Sequence, residues 1–142
     1  MKKKPPLIVT VVLTLIGAVF GYAVVETMFQ RSNSISFDKS LVEMSKKINA
    51  TLPMEVDKET RLDATMAGPG RHFTYLYTLP HISEGEVKRT KFVDAMRPQL
   101  INGYKTSPSM AVFRSKDVEL HYEYRDKEGK VVAAITVSPK DF

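Results

Sequence analysis

From Asp38 to Ala50, Leu41, Met44 and Ile48 recur at helical spacing with lysines and Glu43 between them, which predicts an amphipathic helix. Asp38 stands where a cap belongs, and Leu52-Pro53 ends the run. The period then changes. Leu62, Ala64 and Met66 alternate with Arg61, Asp63 and Thr65, Gly68-Pro69-Gly70 breaks the chain, and Phe73, Tyr75, Tyr77 and Leu79 alternate with Thr74, Leu76 and Thr78. That is a β-hairpin with one apolar face. Ser83-Glu84-Gly85-Glu86 has the form of a capping box and predicts a helix through Val87, Val93 and Met96, which kinks or stops at Pro98. Ser107-Pro108 announces a short helix through Met110, Val112 and Phe113. Finally Val118, Leu120, Tyr122 and Tyr124 alternate with Glu119, His121, Glu123 and Arg125, Asp126-Lys127-Glu128-Gly129 turns, and Lys130 to Ser138 returns with Val131, Ala133, Ile135 and Val137 inward.

Helix followed by two strands therefore occurs twice, and Tyr75-Leu76-Tyr77 echoes Tyr122-Glu123-Tyr124 as a structural duplication would. The expected fold is α+β: a four-stranded, mainly antiparallel sheet whose apolar face is covered by two amphipathic helices.

Ahead of this domain, Lys2, Lys3 and Lys4 precede the uncharged run Leu7 to Val25. Its 19 residues make a helix about 28 Å long, close to the roughly 30 Å of a bilayer's hydrocarbon core. The division expected is a cytoplasmic tail over 1–6, a transmembrane signal anchor over 7–25, a tether over 26–37 and the folded domain over 38–142. A cleaved signal peptide is the competing reading, with Gly21-Tyr22-Ala23 as a small-x-small site, although the apolar run continues past it. Three lysines and the terminal amine on one side, against Arg31 and Lys39 with Glu26 and Asp38 on the other, keep the amino end in the cytoplasm. The domain then faces the periplasm of a bacterial inner membrane. Gly17 and Gly21 form a G-x-x-x-G spacing that lets two such helices approach closely, so a homo-oligomer is one partner state to expect.

Composition narrows the chemistry. Of 21 Lys+Arg, three lie before the apolar run, and of 16 Asp+Glu one (Glu26) lies before Arg31, which leaves 18 against 15 and a net charge of +3 from Arg31 to Phe142. The signs alternate instead of forming a basic patch, so no nucleic-acid partner is expected. With no cysteine, disulfides and thiolate sites are excluded. Nucleophile elbows, P-loops and dinucleotide fingerprints are missing from the sequence, and no catalytic residue or cofactor is assigned. Asn49-Ala50-Thr51 matches a glycosylation pattern but falls at a helix end. The carboxylates Glu55, Asp57, Glu59 and Asp63 lie beside Lys58 and Arg61 without an apolar frame to raise a pKa.

The histidines are His72, His81 and His121, and no two have the spacing of a helical metal pair. Glu119, His121 and Glu123 share one strand face, but successive positions there are about 7 Å apart and diverge. Neither His72 nor His81 is clearly aimed at them, so the expectation is a solvated face with no metal. The aromatic residues Tyr75, Tyr77, Tyr122 and Tyr124, with Phe73, share one sheet face. They either pack beneath the helices with hydroxyls at the rim or, if exposed, form a partner-binding surface.

The stretch Leu52 to Asp63, then Gly68-Pro69-Gly70, then Thr74 to Leu79, resembles a group of small uncharacterised bacterial single-pass envelope proteins with a periplasmic α+β domain. Thr106-Ser107-Pro108, Tyr122 to Lys130 and Pro139-Lys140-Asp141 extend the resemblance through most of the outer domain. It implies an envelope location but no activity. It also implies a cysteine pair, one before the short helix and one at the extreme end, where this chain has Lys105 and Phe142. Joint loss is what a disulfide predicts, and it leaves open how the last strand is pinned.

The function expected is a membrane-anchored periplasmic binding module, an accessory or assembly subunit that holds a protein partner and contacts the bilayer through residues 7–25. An immunity or superinfection-exclusion protein acting at the inner membrane is the alternative. An envelope enzyme is the third class, and it lacks a nucleophile–base constellation.

Overall fold

The computed structural model describes residues 37–83 and 85–142. The anchor expected over 7–25, the expected tether as far as residue 36, and Gly17 and Gly21 lie outside them. Among the described residues no helix is long and apolar enough to cross a membrane.

Helix α1 (Phe37–Asn49) is followed by β1 (Met54–Asp57), β2 (Thr60–Gly68) and β3 (His72–Thr78). Then come α2 (Arg89–Thr106), a 3-10 turn over Pro108–Met110, α3 (Ala111–Ser115), β4 (Glu119–Arg125), β5 (Val131–Val137) and a final 3-10 turn over Pro139–Asp141. The strands form one five-stranded sheet in chain order, β1-β2-β3-β4-β5. Its pairings are antiparallel except β3 with β4, which is parallel because α2 and α3 carry the chain back to the same end.

The sheet therefore has a strand more than the four expected. Met54–Asp57 is short, follows a cis Leu52-Pro53 bond and alternates weakly, so periodicity does not reveal it. It also breaks the duplication, since the first helical unit carries three strands and the second two.

The core lies between one sheet face and the helices. Leu41, Met44 and Ile48 of α1 and Phe92, Met96, Leu100 and Tyr104 of α2 are buried against Leu62, Phe73, Tyr75, Tyr77, Leu120, Tyr122, Tyr124, Ala133, Ile135 and Val137. Two bulges shift the expected phase. One between Leu62 and Ala64 turns Thr65 inward and leaves Met66 52% exposed. The other, at Tyr124 and Arg125, leaves Val131 45% exposed while Ala133, Ile135 and Val137 stay buried.

Helix α2 starts later than expected, and of the two courses open at Pro98 it does not take the stop. It begins at Arg89, and Ser83 takes part in a separate turn in which its N–H donates to Glu86 Oε2 at 3.2 Å. Pro98 neither stops nor shortens it, and the helix continues to Thr106. Phe92, Met96, Leu100 and Tyr104 recur every four residues along the buried face, so packing holds the turns on both sides of the exposed proline.

Polar contacts lock α1 to the outer edge of β2. The Asn49 side chain accepts the Thr65 N–H at 2.7 Å and donates to the Thr65 carbonyl at 2.9 Å, while Ser45 Oγ donates to that carbonyl at 3.0 Å. Asn49 thus supplies strand-like pairing beyond the reach of β1, which matches β2 only as far as Leu62. The amide of the glycosylation pattern is engaged in this contact. Asp38 lies within α1 and does not cap it; its carboxylate accepts the N–H groups of Gly70 at 3.4 Å and Arg71 at 3.1 Å in the β2–β3 turn.

The carboxyl end is pinned without a disulfide. Arg97 donates to the Thr136 carbonyl at 2.8 Å and to Asp141 Oδ1 at 2.9 Å. Phe142 packs edge-on against Tyr104 with centroids 5.9 Å apart, which brings the chain end against the residue next to Lys105.

Candidate functional site

The tyrosines are interior. Parallel pairing of β3 with β4 sets Tyr75 beside Tyr122 and Tyr77 beside Tyr124, and the rings stack at 5.3 and 5.1 Å, each pair 13° from parallel. All four are buried. They therefore do not form the exposed partner surface that their shared face allowed; α2 covers them, with the Phe92 ring edge-on to Tyr124 at 4.9 Å. Burial raises their hydroxyls well above the usual phenol range, neighbouring tyrosines add to this at Tyr77 and Tyr122, and the Asp57 carboxylate adds to it at Tyr124.

Polar chemistry collects on the opposite sheet face, which the helices among the described residues leave uncovered. Alternation along β3 and β4 sends His72, Glu119, His121 and Glu123 outward while their neighbours Phe73, Leu120, Tyr122 and Tyr124 point into the core. The parallel register matches His72 with Glu119 and Thr74 with His121. His72 thus comes from the adjacent strand to meet Glu119 and His121, and supplies the converging atom that one diverging strand cannot.

Two left-handed turns fix this meeting. Gly70 and Arg71, with φ of 78° and 62°, turn the chain into β3, and Asp117, with φ of 53°, turns it into β4. The turns are tied together, since the Glu119 N–H donates to the Arg71 carbonyl at 2.9 Å and the Arg71 guanidinium to the Lys116 carbonyl at 2.9 Å. A Cβ at Gly70 would stand in ordinary contact with the His72 ring, 3.4 Å from Cδ2, so it is the positive φ and not lack of space that calls for glycine there.

His72 Nδ1 lies 2.9 Å from His121 Nε2 and 3.4 Å from Glu119 Oε1, and His121 Nε2 lies 3.0 Å from that same oxygen. The two rings are 18° from parallel with centroids 5.2 Å apart. On the far side of its ring, His121 Nδ1 is 3.0 Å from the Thr136 hydroxyl of β5. Three atoms able to ligate a metal thus converge on one point, and together they are the candidate site.

The other residues singled out do not join it. Glu123 turns to Arg125 at 2.7 Å, and His81 is an exposed residue of the loop after β3. Asp63 bonds Arg61 at 2.6 Å and accepts from the Thr78 hydroxyl, while Asp57 accepts the Glu59 N–H at 2.7 Å across the β1–β2 turn. These acidic groups are engaged separately.

Three solved structures share the fold. A candidate secreted protein from Pseudomonas aeruginosa, PA3611, aligns at a TM-score of 0.57 with 17% identity, covering 73% of this chain and 95% of its own. The type II secretion system pilotin AspS from Vibrio cholerae aligns at 0.55 with 8% identity, covering 74% and 91%. EpsS, the pilotin of the Vibrio vulnificus type 2 secretion system, aligns at 0.57 with 9% identity, covering 72% and 88%. No curated protein matches the sequence significantly. A family of domains of unknown function does match, over residues 34–133, and the chain belongs to that family, DUF8479.

Proposed function

We propose that this chain is a membrane-tethered, periplasm-facing binding module, an accessory or assembly subunit of a bacterial envelope complex. The observation that carries this reading is the fold held in common with two type II secretion pilotins across nearly three quarters of the chain. The amino-terminal pattern supports it, because three lysines before an uncharged 19-residue run suit a single anchor with its amino end in the cytoplasm. Its work is to hold a protein partner, with no catalytic step, no organic cofactor and no nucleic acid.

The test is affinity capture of the full chain after cross-linking in cells and extraction in mild detergent. One membrane or periplasmic protein in stoichiometric yield is the expected result. Recovery of the chain alone, together with turnover of a small-molecule substrate, overturns the reading. Placement is tested independently. A reporter fused after Phe142 is expected to be active only if it functions outside the cytoplasm, and activity of a cytoplasm-dependent reporter at that site refutes the orientation.

A further inference from the structure

We infer that His72, Glu119 and His121 form a binding site for one divalent cation of the zinc class, with a fourth coordination position open to solvent. Tetrahedral zinc has bonds of about 2.0–2.2 Å, which place neighbouring ligand atoms about 3.3–3.5 Å apart. The three edges here, 2.9, 3.0 and 3.4 Å, approach that face before any ion has drawn the side chains into place. A cation about 2.1 Å from all three atoms sits about 1 Å above their plane.

The donor types select the ion. Two imidazole nitrogens and one carboxylate oxygen suit zinc, cobalt or nickel, whereas calcium and magnesium favour oxygen shells of six or more. The second shell agrees. Metal on Nε2 of His121 requires the proton on Nδ1, and the Thr136 hydroxyl at 3.0 Å is placed to accept it. Exposures of 44%, 39% and 34% for His72, Glu119 and His121 leave the outer side accessible to water or to a donor atom from a partner.

Protons alone satisfy the triangle less well. With both rings neutral, a hydrogen on His72 Nδ1 serves its two edges and leaves His121 Nε2 facing Glu119 with lone pair against lone pair. A hydrogen on His121 Nε2 leaves the edge between His72 and Glu119 unserved. A central cation is bound from all three corners at once. It also clamps the parallel β3–β4 pair, so the site goes beyond the binding role proposed above and does not depend on it.

The full chain without a polyhistidine tag, purified in mild detergent and stripped with chelator, is titrated with zinc chloride by calorimetry and with cobalt chloride by visible absorption. The expected result is one zinc per chain and the intense ligand-field bands of four-coordinate cobalt. His72→Ala and His121→Ala each abolish both signals and the rise in melting temperature that zinc gives the wild type. Thr136→Val weakens zinc binding by about 10–100-fold. His81→Ala leaves all signals unchanged. Circular dichroism of each variant without zinc separates lost ligation from lost folding. Absence of zinc binding in the folded wild type overturns the site, as does binding that survives His72→Ala and His121→Ala combined or is lost equally in His81→Ala.

Discussion

Tyr124 and Tyr104 carry the same hydroxyl into the same core, yet removing it is expected to have opposite effects. Tyr104 donates to the Val118 carbonyl at 2.8 Å, where the chain leaves α3 for β4. Tyr124 is fully buried, and its hydroxyl has no hydrogen-bond partner among the described residues. Asp57 Oδ2 and Thr60 Oγ1, at the β1–β2 turn, share that condition. A net hydrogen bond contributes about 0.5–1.5 kcal/mol, whereas an unpaired buried polar group costs about 1–3 kcal/mol. Tyr104→Phe should therefore lose about 1 kcal/mol, and Tyr124→Phe should gain about 1 kcal/mol while keeping its stacking on Tyr77. In a domain of this size each corresponds to a shift of roughly 4–8 °C, downward for Tyr104→Phe and upward for Tyr124→Phe. Urea unfolding followed by far-ultraviolet circular dichroism reads both variants, with equal slopes showing that the unfolded states are comparable. A loss of about 0.5 kcal/mol or more in Tyr124→Phe would refute the argument, because the hydroxyl would then have a partner in solution.

Strand phase gives a second contrast: Tyr122→Ala or Ile135→Ala should cost about 2–5 kcal/mol, and His121→Ala, measured in chelator, about 0.5 kcal/mol or less. Equal losses by urea unfolding would mean that both faces of β4 are covered. Pro98→Ala restores an amide donor within α2 and relieves the crowding of the preceding turn, so it should stabilise by about 1–2 kcal/mol after allowance for the looser unfolded chain. No change in melting temperature would show that the helix has already relaxed around the proline. Alkaline pH should unfold the protein cooperatively. Tyr75, Tyr77, Tyr122 and Tyr124 titrate above their unfolded values in the folded state, so their contribution is intact below about pH 10 and is lost as pH rises further. Phenolate absorbance from these residues should appear together with loss of the fold, and their reversible titration near pH 10 in folded protein would contradict the burial.

Periodicity was most informative where a strand or helix kept one phase. Phe73, Tyr75 and Tyr77 in β3, and Leu120, Tyr122 and Tyr124 in β4, alternate without interruption and point inward as their pattern predicts. The bulge in β2 was hidden because Leu62-Asp63-Ala64-Thr65-Met66 reads as perfect alternation. Thr65 turns inward only because Ser45 and Asn49 satisfy its hydroxyl and backbone, a contact between residues about 16–20 positions apart that no local pattern contains. Pro98 leaves a kink or a stop open, and the stop does not occur. The proline's local cost is real, but the four-residue recurrence of Phe92, Met96, Leu100 and Tyr104 continues through it, and packing decides the outcome.

The candidate site was half legible for a reason that belongs to sheets. Glu119 and His121 could be placed on one face from alternation, since that requires only the strand's own period. Bringing in His72 required knowing that β3 and β4 are neighbours, that they run parallel, and that their register sets His72 opposite Glu119. Shifting that register by one residue would present Phe73 at the same height and direct its ring to the other face. The register itself depends on two left-handed turns and the Glu119-to-Arg71 backbone bond. The core and the candidate metal site consequently share one determinant. The parallel junction that stacks Tyr75 on Tyr122 and Tyr77 on Tyr124 beneath the helices is the junction that closes the His72–Glu119–His121 triangle on the uncovered face.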